Sequence, residues 1–198
     1  MPLQLRRDRL YTIAMIDETQ IARDGFWVFG YGSLIWRPGF DYTRREKAEL
    51  TGYRRAFCMR SIHYRGTEQA PGLVLALEPD QAASCHGLAY HVAAENAVDT
   101  LQYLRDRELI SYAYVERVHA LSLAGGDQIT ALCYVMNTDH AQYAGHLSLN
   151  EQSEIIAHAH GSVGPNRDYL FSTLEHLHEL GIDDPDMAEL AKLVEQIG

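Results

Sequence analysis

The chain has 198 residues, of which 46% are apolar and 22% are charged, proportions that are typical of a globular protein. Its 17 basic and 27 acidic residues give a net charge of −10, which argues against nucleic acid or an anionic membrane as the main partner. This length predicts one sizeable domain with a core of its own, and three widely spaced cysteines form neither a disulfide framework nor a zinc signature.

The first 25 residues are mixed and charged, with Arg6, Arg7 and Arg9 where a targeting signal would need an apolar run. They show a weak helical pattern, and we expect an N-terminal extension over residues 1–25 followed by a single domain over residues 26–198. No stretch approaches the roughly 18 apolar residues of a membrane span. We therefore expect a cytoplasmic protein with reduced cysteines.

The pattern becomes strand-rich from Phe26 onward. The predicted strands are Trp27–Phe29, Leu50–Met59, Gly72–Glu78, His86–Val92, Tyr112–Leu123 and Gln128–Met136. Pro79 and Asp80 predict a hairpin turn between the third and fourth strands. The sequence Ala-Gly-Gly-Asp at 124–127 is a strong hairpin signal between the last two.

Helices are predicted between and after these strands, at Asn96–Ile110, Glu151–His160, Arg167–Leu180 and a segment beginning at Asp184-Pro185. An aspartate followed by proline is a favourable helix start, because the side chain caps the first turn and proline suits the first helical position. Mostly antiparallel strands with helices inserted at a few points predict an α+β domain around a small, partly closed barrel.

The sequence W-V-F-G-Y-G-S-L-I-W at 27–36 interrupts an apolar strand with two glycines and a serine. Glycine weakens a strand interior, so Gly30 and Gly32 indicate either a bend in the barrel or a close approach of another group. In the second case the backbone N–H groups, with the hydroxyl of Ser33, would bind an anion. The turn alone does not decide between the two. It matches neither a P-loop, a dinucleotide fingerprint nor a nucleophile elbow.

A carboxylate stands in an apolar row on the helix predicted over Asn96–Ile110. Glu108 follows Leu101 by seven residues and Leu104 by four, so it continues their face, whereas Arg107 is expected to point elsewhere. Burial and the negative end of the helix dipole both disfavour its ionised form, which would suit a general base or acid. The alternative is an exposed glutamate paired with Arg105 or Arg107.

Three segments in this order resemble ChaC-type γ-glutamylcyclotransferases: V-F-G-Y-G-S-L-I-W at 28–36, Y-L-R-D-R-E at 103–108 and G-P-N-R-D-Y-L at 164–170. The stretches G-Y-R-R-A-F-C-M-R at 52–60 and H-G-L-A-Y at 86–90 are similar to the bacterial members. The resemblance runs from about Phe26 to about Gly181.

The resemblance implies a γ-glutamylcyclotransferase-like fold, a small mixed β-barrel with flanking helices, forming one catalytic domain over residues 26–198. It implies a lyase of glutathione catabolism that releases 5-oxoproline and Cys-Gly without a cofactor or a metal. Glu108 falls on the family's catalytic glutamate. The implied substrate-binding residues are Val28, Phe29, Gly30, Tyr31, Gly32, Ser33, Leu34, Tyr112 and Tyr169.

Two positions depart from the family pattern. The stretch Ser61-Ile62-His63-Tyr64-Arg65-Gly66 replaces one that often carries an acidic residue and a histidine before Arg-Gly, and Leu73 stands where arginine is common after Pro-Gly. Contact of either with the glycine end of glutathione would change specificity. The open alternatives are a cyclotransferase for other γ-glutamyl amides or amines, and a non-catalytic γ-glutamyl-binding regulator.

The predicted partner is a small molecule, with no nucleic acid and no membrane, and the oligomeric state stays open. The pairs His158/His160 and His176/His178 lie in predicted helices, where residues two apart diverge, so a metal site is not expected. Cys58 and Cys133 lie in apolar strands and are predicted to be buried core residues.

Overall fold

The computed structural model describes residues 16–198, so the part of the N-terminal helical pattern that falls in residues 1–15 lies outside the described residues, and the part around Ile21 forms a short helix. The helices are α1 Glu18–Asp24, α2 Ala94–Glu108, α3 Leu149–His158, α4 Asn166–Glu179 and α5 Pro185–Ile197, with a short 3₁₀ helix at Ser33–Ile35. The strands are β1 Phe26–Gly30, β2 Arg44–Ser61, β3 Gly72–Val92, β4 Tyr114–Leu123, β5 Gln128–Met136, β6 His160–Gly161 and β7 Gly164–Pro165.

Strands β1 to β5 form a closed barrel in the order β1-β3-β2-β4-β5. Most neighbours are antiparallel, and the barrel is closed by a parallel pairing of β1 with β5, in which Trp27 faces Ala131 and Val28 faces Leu132. The predicted α+β class and small mixed barrel are confirmed. The barrel is completely closed, where the sequence predicted partial closure.

The hairpin predicted at Pro79-Asp80 is wrong, because β3 runs without a break from Gly72 to Val92 along β2. Pro79 lies opposite Tyr53, and the pairing resumes where Ser84 faces Thr51, so the four intervening residues of β3 form an irregularity beside Gly52. Proline lacks an N–H donor and is tolerated at such bulges. A turn-like sequence therefore marks a bend within one long strand.

Helices cover the barrel on two sides. The core next to α1 and α2 contains Ile21, Leu101 and Leu104, and the core next to α3, α4 and α5 contains Ile156 and Leu177 among other buried residues. The three cysteines of the sequence are free and buried, as predicted for Cys58 and Cys133. Among the described residues, no helix is long and apolar enough to cross a membrane.

Helix α5 begins at Pro185 after the capping residue Asp184, as predicted, and Asp184 also anchors the helix to the barrel. Asp184 Oδ1 accepts a hydrogen bond from the N–H of Met187 at 3.1 Å, and its Oδ2 pairs with Arg55 at 2.9 Å. Arg55 in turn donates from Nε to the carbonyl of Tyr31 at 2.7 Å. This chain of contacts holds the loop after β1 against the C-terminal helices.

Candidate active site

A cavity of about 420 Å³ lies where the loop after β1, the end of α2, the end of β2 and the start of α4 meet. A smaller cavity of about 30 Å³ adjoins it, and the two share Ser33, Glu108, Tyr114 and Tyr169 in their walls. The small cavity is therefore an inner end of the larger one, and the carboxylate of Glu108 lies at their junction.

Glu108 is the last residue of α2 and continues the apolar stripe that the sequence indicated. Leu101 and Leu104 are almost fully buried, and the Glu108 side chain is 16% exposed, toward the cavity. Desolvation by burial raises the pKa of Glu108, and the nearby charge of Arg107 opposes this rise without cancelling it. Glu108 is thus paired with Arg107, as in the alternative interpretation, but it is not an exposed surface residue.

Arg107 does not point away from the site, contrary to the expectation from helical spacing. Its Nε lies 3.1 Å from Oε1 of Glu108, and its Nη2 donates to the hydroxyl of Ser33 at 2.9 Å. Nη1 donates to the carbonyls of Arg37 at 2.7 Å and Pro38 at 3.1 Å. Because α2 ends at Glu108, this long side chain can fold across the helix end, which the 3.6-residue period does not describe.

The two glycines after β1 have different surroundings. A Cβ on Gly30 would come within 3.1 Å of the side chains of Leu34 and Tyr90, so this glycine permits close packing. Gly32 lines the small cavity, and a Cβ there would lie 3.2 Å from the hydroxyl of Tyr169. Close packing explains Gly30, whereas Gly32 keeps space open beside the candidate site.

The predicted site residues fall into two groups. Those that line one or both cavities are Tyr31, Gly32, Ser33, Leu34, Glu108 and Tyr169. Val28, Phe29 and Gly30 are buried within β1 and line neither cavity. Tyr112 also lines neither, since it is 71% exposed and has a positive φ of 57° in the loop before β4.

Tyr114, which the sequence interpretation missed, lines both cavities two residues beyond Tyr112. Its hydroxyl donates to the carbonyl of Leu75 at 2.6 Å, and that of Tyr31 donates to the carbonyl of Tyr134 at 2.9 Å. Burial raises the pKa of Tyr31, Tyr114 and Tyr169 well above the usual tyrosine range. These hydroxyls therefore stay protonated beside Glu108. The sequence predicts that the strand begins at Tyr112, whereas it begins at Tyr114, and this difference in the strand start is why Tyr114 was missed.

Asn166 explains how Tyr169 reaches the cavity. It is fully buried, its Oδ1 accepts from the N–H of Leu73 at 2.6 Å, and its Nδ2 donates to the carbonyl of Leu73 at 2.7 Å. This pair of bonds fixes the first turn of α4 against β3. Tyr169 lies three residues further along α4, with its ring toward the cavity.

The two departures from the family pattern have different locations. Ser61, Ile62, His63, Tyr64 and Arg65 all line the cavity, whereas Leu73 is fully buried in the core. The basic side chains in the cavity wall are Arg37, His63, Arg65 and Arg107, and Glu108 is the acidic one. This wall favours an anionic ligand, although the chain as a whole carries a net charge of −10.

The geometry can support proton transfer at one carboxylate next to neutral tyrosine hydroxyls, of which those of Tyr31 and Tyr114 already donate to backbone carbonyls. Within residues 16–198, no three His, Cys, Asp or Glu side chains gather in a group that could hold a metal ion. The fold and site define a class of small α+β barrel proteins with a cavity-lining carboxylate of raised pKa beside a glycine turn.

Comparison with known proteins identifies the particular family. Residues 26–197 match the family described as ChaC-like protein, and the chain belongs to this family. It is 34% identical over 171 residues to the glutathione-specific γ-glutamylcyclotransferase of Escherichia coli K12, covering 86% of this chain and 73% of that protein.

Two further relatives support the assignment. The chain is 34% identical over 177 residues to γ-glutamylcyclotransferase 2-3 of Arabidopsis thaliana, covering 86% of this chain and 89% of that protein. The crystal structure of a yeast γ-glutamylcyclotransferase specific to glutathione superposes with a TM-score of 0.81 at 24% identity. That match covers 88% of this chain and 97% of the yeast chain and shows a shared fold.

Proposed function

We propose that this protein is a γ-glutamylcyclotransferase that converts glutathione into 5-oxoproline and Cys-Gly, with Glu108 as general base and acid. The observation that carries the proposal is a carboxylate of raised pKa at the junction of two cavities, beside the Gly32 turn. The similarity to the glutathione-specific γ-glutamylcyclotransferase of Escherichia coli and to γ-glutamylcyclotransferase 2-3 of Arabidopsis supports the reaction. We assign the activity to a single domain, residues 26–198.

The reaction is intramolecular. The α-amine of the γ-glutamyl unit attacks its own γ-carbonyl carbon, closes a five-membered lactam and expels the amine of Cys-Gly. Attacker and target are already joined, so the protein mainly has to fold the substrate into a reactive geometry. A cavity enclosed by tyrosine side chains suits this task.

Glu108 supplies the proton transfers that ring closure needs. The substrate α-ammonium must lose a proton to become a nucleophile, and an ionised carboxylate of raised pKa accepts it efficiently near neutral pH. The protonated Glu108 then returns the proton to the nitrogen of the leaving Cys-Gly when the amide C–N bond breaks. The attacking nitrogen loses a second proton as the lactam forms, and the regenerated carboxylate takes this proton and passes it to the amine of Cys-Gly, which leaves as an ammonium group. Glu108 is ionised again at the end of each turnover, so one residue can carry both transfers.

The turn after β1 supplies donors for the negative charges of the substrate. The N–H groups of Ser33 and Leu34 lie in the first turn of the 3₁₀ helix, where they have no helical carbonyl to donate to. Together with the neutral hydroxyl of Tyr169, they are suited to bind the α-carboxylate or the oxyanion that develops on the γ-carbonyl.

The direct test is mass-spectrometric detection of 5-oxoproline after incubation of the purified protein with glutathione. We expect Glu108→Gln to fold normally and to lose about 10²- to 10⁴-fold in turnover, the usual contribution of a general acid or base. Glu95→Gln is the matched control, since Glu95 is an exposed residue in the first turn of the same helix. Full activity of Glu108→Gln would refute the assignment.

The basic side chains in the cavity wall favour some of the alternative γ-glutamyl substrates over others. Arg37, Arg65 and Arg107 favour an anionic leaving group and disfavour one that also carries a free ammonium group, as γ-glutamyl-lysine does. We expect glutathione to be turned over faster than γ-Glu-Ala, and both faster than γ-glutamyl-lysine. A protein that bound glutathione without forming 5-oxoproline would instead be the non-catalytic regulator.

A further inference from the structure

Arg65 is a partly buried cation without a carboxylate partner among the described residues. Its Nη1 donates to the carbonyls of Val163 at 3.2 Å and Pro165 at 2.9 Å, and its guanidinium carbon lies 5.7 Å from the ring centre of Tyr169. Desolvation lowers its pKa, and Asp168 acts on it as a charge beyond ion-pair distance. A partly desolvated charge whose direct contacts are all with neutral groups is incompletely compensated, so an incoming anion would be bound favourably there.

The segment that carries Arg65 is closely packed. Gly66 and Gly161 leave no room for a side chain, since a Cβ on Gly66 would collide with the nitrogen of Gly72 and one on Gly161 with the carbonyl of Tyr64. The N–H of Arg65 donates to the hydroxyl of Ser61 at 3.0 Å. The guanidinium is thus held in place before any ligand binds, which lowers the entropy cost of binding.

Arg65 also lines the same cavity as Glu108. Tyr169 contacts Arg65 through its ring and lines the inner cavity with Glu108, so Arg65 lies one side chain further out. A fully extended dipeptide spans about 7 Å. A γ-glutamyl group held at Glu108 would therefore bring the end of an attached dipeptide past Tyr169 to Arg65.

We propose that Arg65 binds the terminal carboxylate of the leaving dipeptide and so selects γ-glutamyl peptides that end in a free carboxylate two residues beyond the scissile amide. This inference rests on the proposed function. The planar guanidinium can bind a carboxylate through two parallel hydrogen bonds. Arg37 lines the same cavity but is exposed, and an exposed charge contributes little to affinity.

The test compares glutathione with its glycyl monoethyl ester, which lacks that carboxylate. For each variant, the measured quantity is kcat/KM for the acid divided by kcat/KM for the ester. Both values come from the same protein, so the ratio compares substrates and not variants. We expect the wild type to prefer the acid by at least about tenfold, as for a hydrogen bond to a charged group. Arg65→Gln should bring the ratio close to one, through lower turnover of the acid and little change for the ester.

Two matched variants, Arg44→Gln and Arg37→Gln, each remove an arginine charge at another position. Arg44→Gln is the control, because Arg44 is exposed, pairs with Glu46 and lies outside the cavity, so the ratio should not change. Arg37→Gln should retain most of the ratio. If Arg37→Gln abolishes the ratio and Arg65→Gln retains it, the assignment to Arg65 is wrong.

The proposal is also overturned if the wild type does not distinguish the two substrates, or if Arg65→Gln keeps the full ratio. If Arg65→Gln does not fold, Arg65→Lys is the alternative test, because lysine keeps the charge but loses the planar guanidinium. An unchanged acid-to-ester ratio in Arg65→Lys would then overturn the proposal. Absence of 5-oxoproline from both substrates in the wild type would refute the proposed function itself.

Discussion

The guanidinium of Arg107 connects the carboxylate of Glu108 with the hydroxyl of Ser33. Nε lies 3.1 Å from Glu108 Oε1, and Nη2 donates to Ser33 Oγ at 2.9 Å. The carbonyls of Arg37 and Pro38 accept bonds from the same guanidinium, so the loop after β1 fixes its position. One side chain therefore couples the geometry of the glycine turn to the charge of the candidate base.

Replacement of Arg107 by glutamine should change the pH dependence of activity. The Arg107 charge lowers the pKa of Glu108 against the larger effect of burial, so its removal lets that pKa rise further. The base must be ionised to accept a proton, and kcat/KM should therefore begin to fall at higher pH. We expect the acid limb of the kcat/KM profile to shift to higher pH.

Arg167→Gln is the control for this shift, since its guanidinium contacts the carbonyl of Gly198 and lies outside the cavity. It should leave the acid limb unchanged. A uniform loss of activity in Arg107→Gln, with the limb at its original pH, would mean that Arg107 acts on the loop alone.

Glu108→Gln should stabilise the protein near neutral pH. The folded-state pKa of Glu108 is raised, so the native state binds more protons than the unfolded state, and wild-type stability falls as pH rises through that window. The window begins at the ordinary carboxyl value of about 4.3 and ends at the raised value. Glutamine does not titrate, so its advantage in the free energy of unfolding should grow with pH and then level off.

Urea unfolding of both proteins at a series of pH values measures this difference, because titration of the other groups cancels. An advantage for Glu108→Gln that shrinks as pH rises would contradict a raised pKa. Glu95→Gln again serves as the exposed control and should show no such trend.

Substitution of Gly32 should reduce activity without unfolding the protein. Its φ is −133°, so a side chain is not excluded by backbone conformation, but a Cβ would lie 3.2 Å from the Tyr169 hydroxyl. Gly32→Ala should displace that hydroxyl slightly, and Gly32→Val should fill the inner cavity and lower kcat/KM by about 10²-fold. Circular dichroism and 5-oxoproline release measure fold and activity separately.

The contact with Tyr169 can be isolated by a double-mutant cycle. Tyr169→Phe removes the hydroxyl, so the combined loss in Gly32→Ala/Tyr169→Phe should be smaller than the product of the two single losses. Gly125→Val is the control, since a Cβ there meets nothing within 4 Å. Strictly multiplicative losses would show that Gly32 affects the site by another route.

Local patterns predicted part of the site because they depend on a few neighbouring residues. The stripe of Leu101, Leu104 and Glu108 follows from the helical period alone, and the structure gives these residues the burial that the period predicts. The exact strand ends do not follow from such patterns. Tyr112 and Tyr114 look equivalent in sequence, and only the start of β4 at Tyr114 determines which one lines the cavity.

Contacts between distant segments were not predictable in the same way. Asn166 and Leu73 are 93 residues apart, and Arg65 meets Val163 across 98, so no periodic pattern connects them. The sequence predicts a hairpin at Pro79, where the structure has a bulge, because turn residues have the same signature whether a chain reverses or bends. The pairing of β3 with β2 decides whether the chain reverses or bends at Pro79. This pairing is a long-range contact, so the local sequence does not predict it.

Asn166→Ala should destabilise the whole domain and reduce activity at the same time. The Asn166 side chain satisfies both the N–H and the carbonyl of Leu73, which are buried, and alanine would leave both without these partners. An unsatisfied buried group costs about 1–3 kcal/mol, so the free energy of unfolding should fall by at least about 2 kcal/mol.

Asn166→Asp retains the acceptor oxygen and loses the donor, but it also buries a carboxylate, so it should stay well below the wild type in stability. Asn96→Ala is the control, since Asn96 is exposed in the first turn of α2. Urea unfolding gives the stability, and kcat/KM measured well below the unfolding midpoint gives the effect on the site. Because α4 positions Tyr169, a destabilised but folded Asn166→Ala should also lose activity, and full activity there would show that Tyr169 is positioned without this contact.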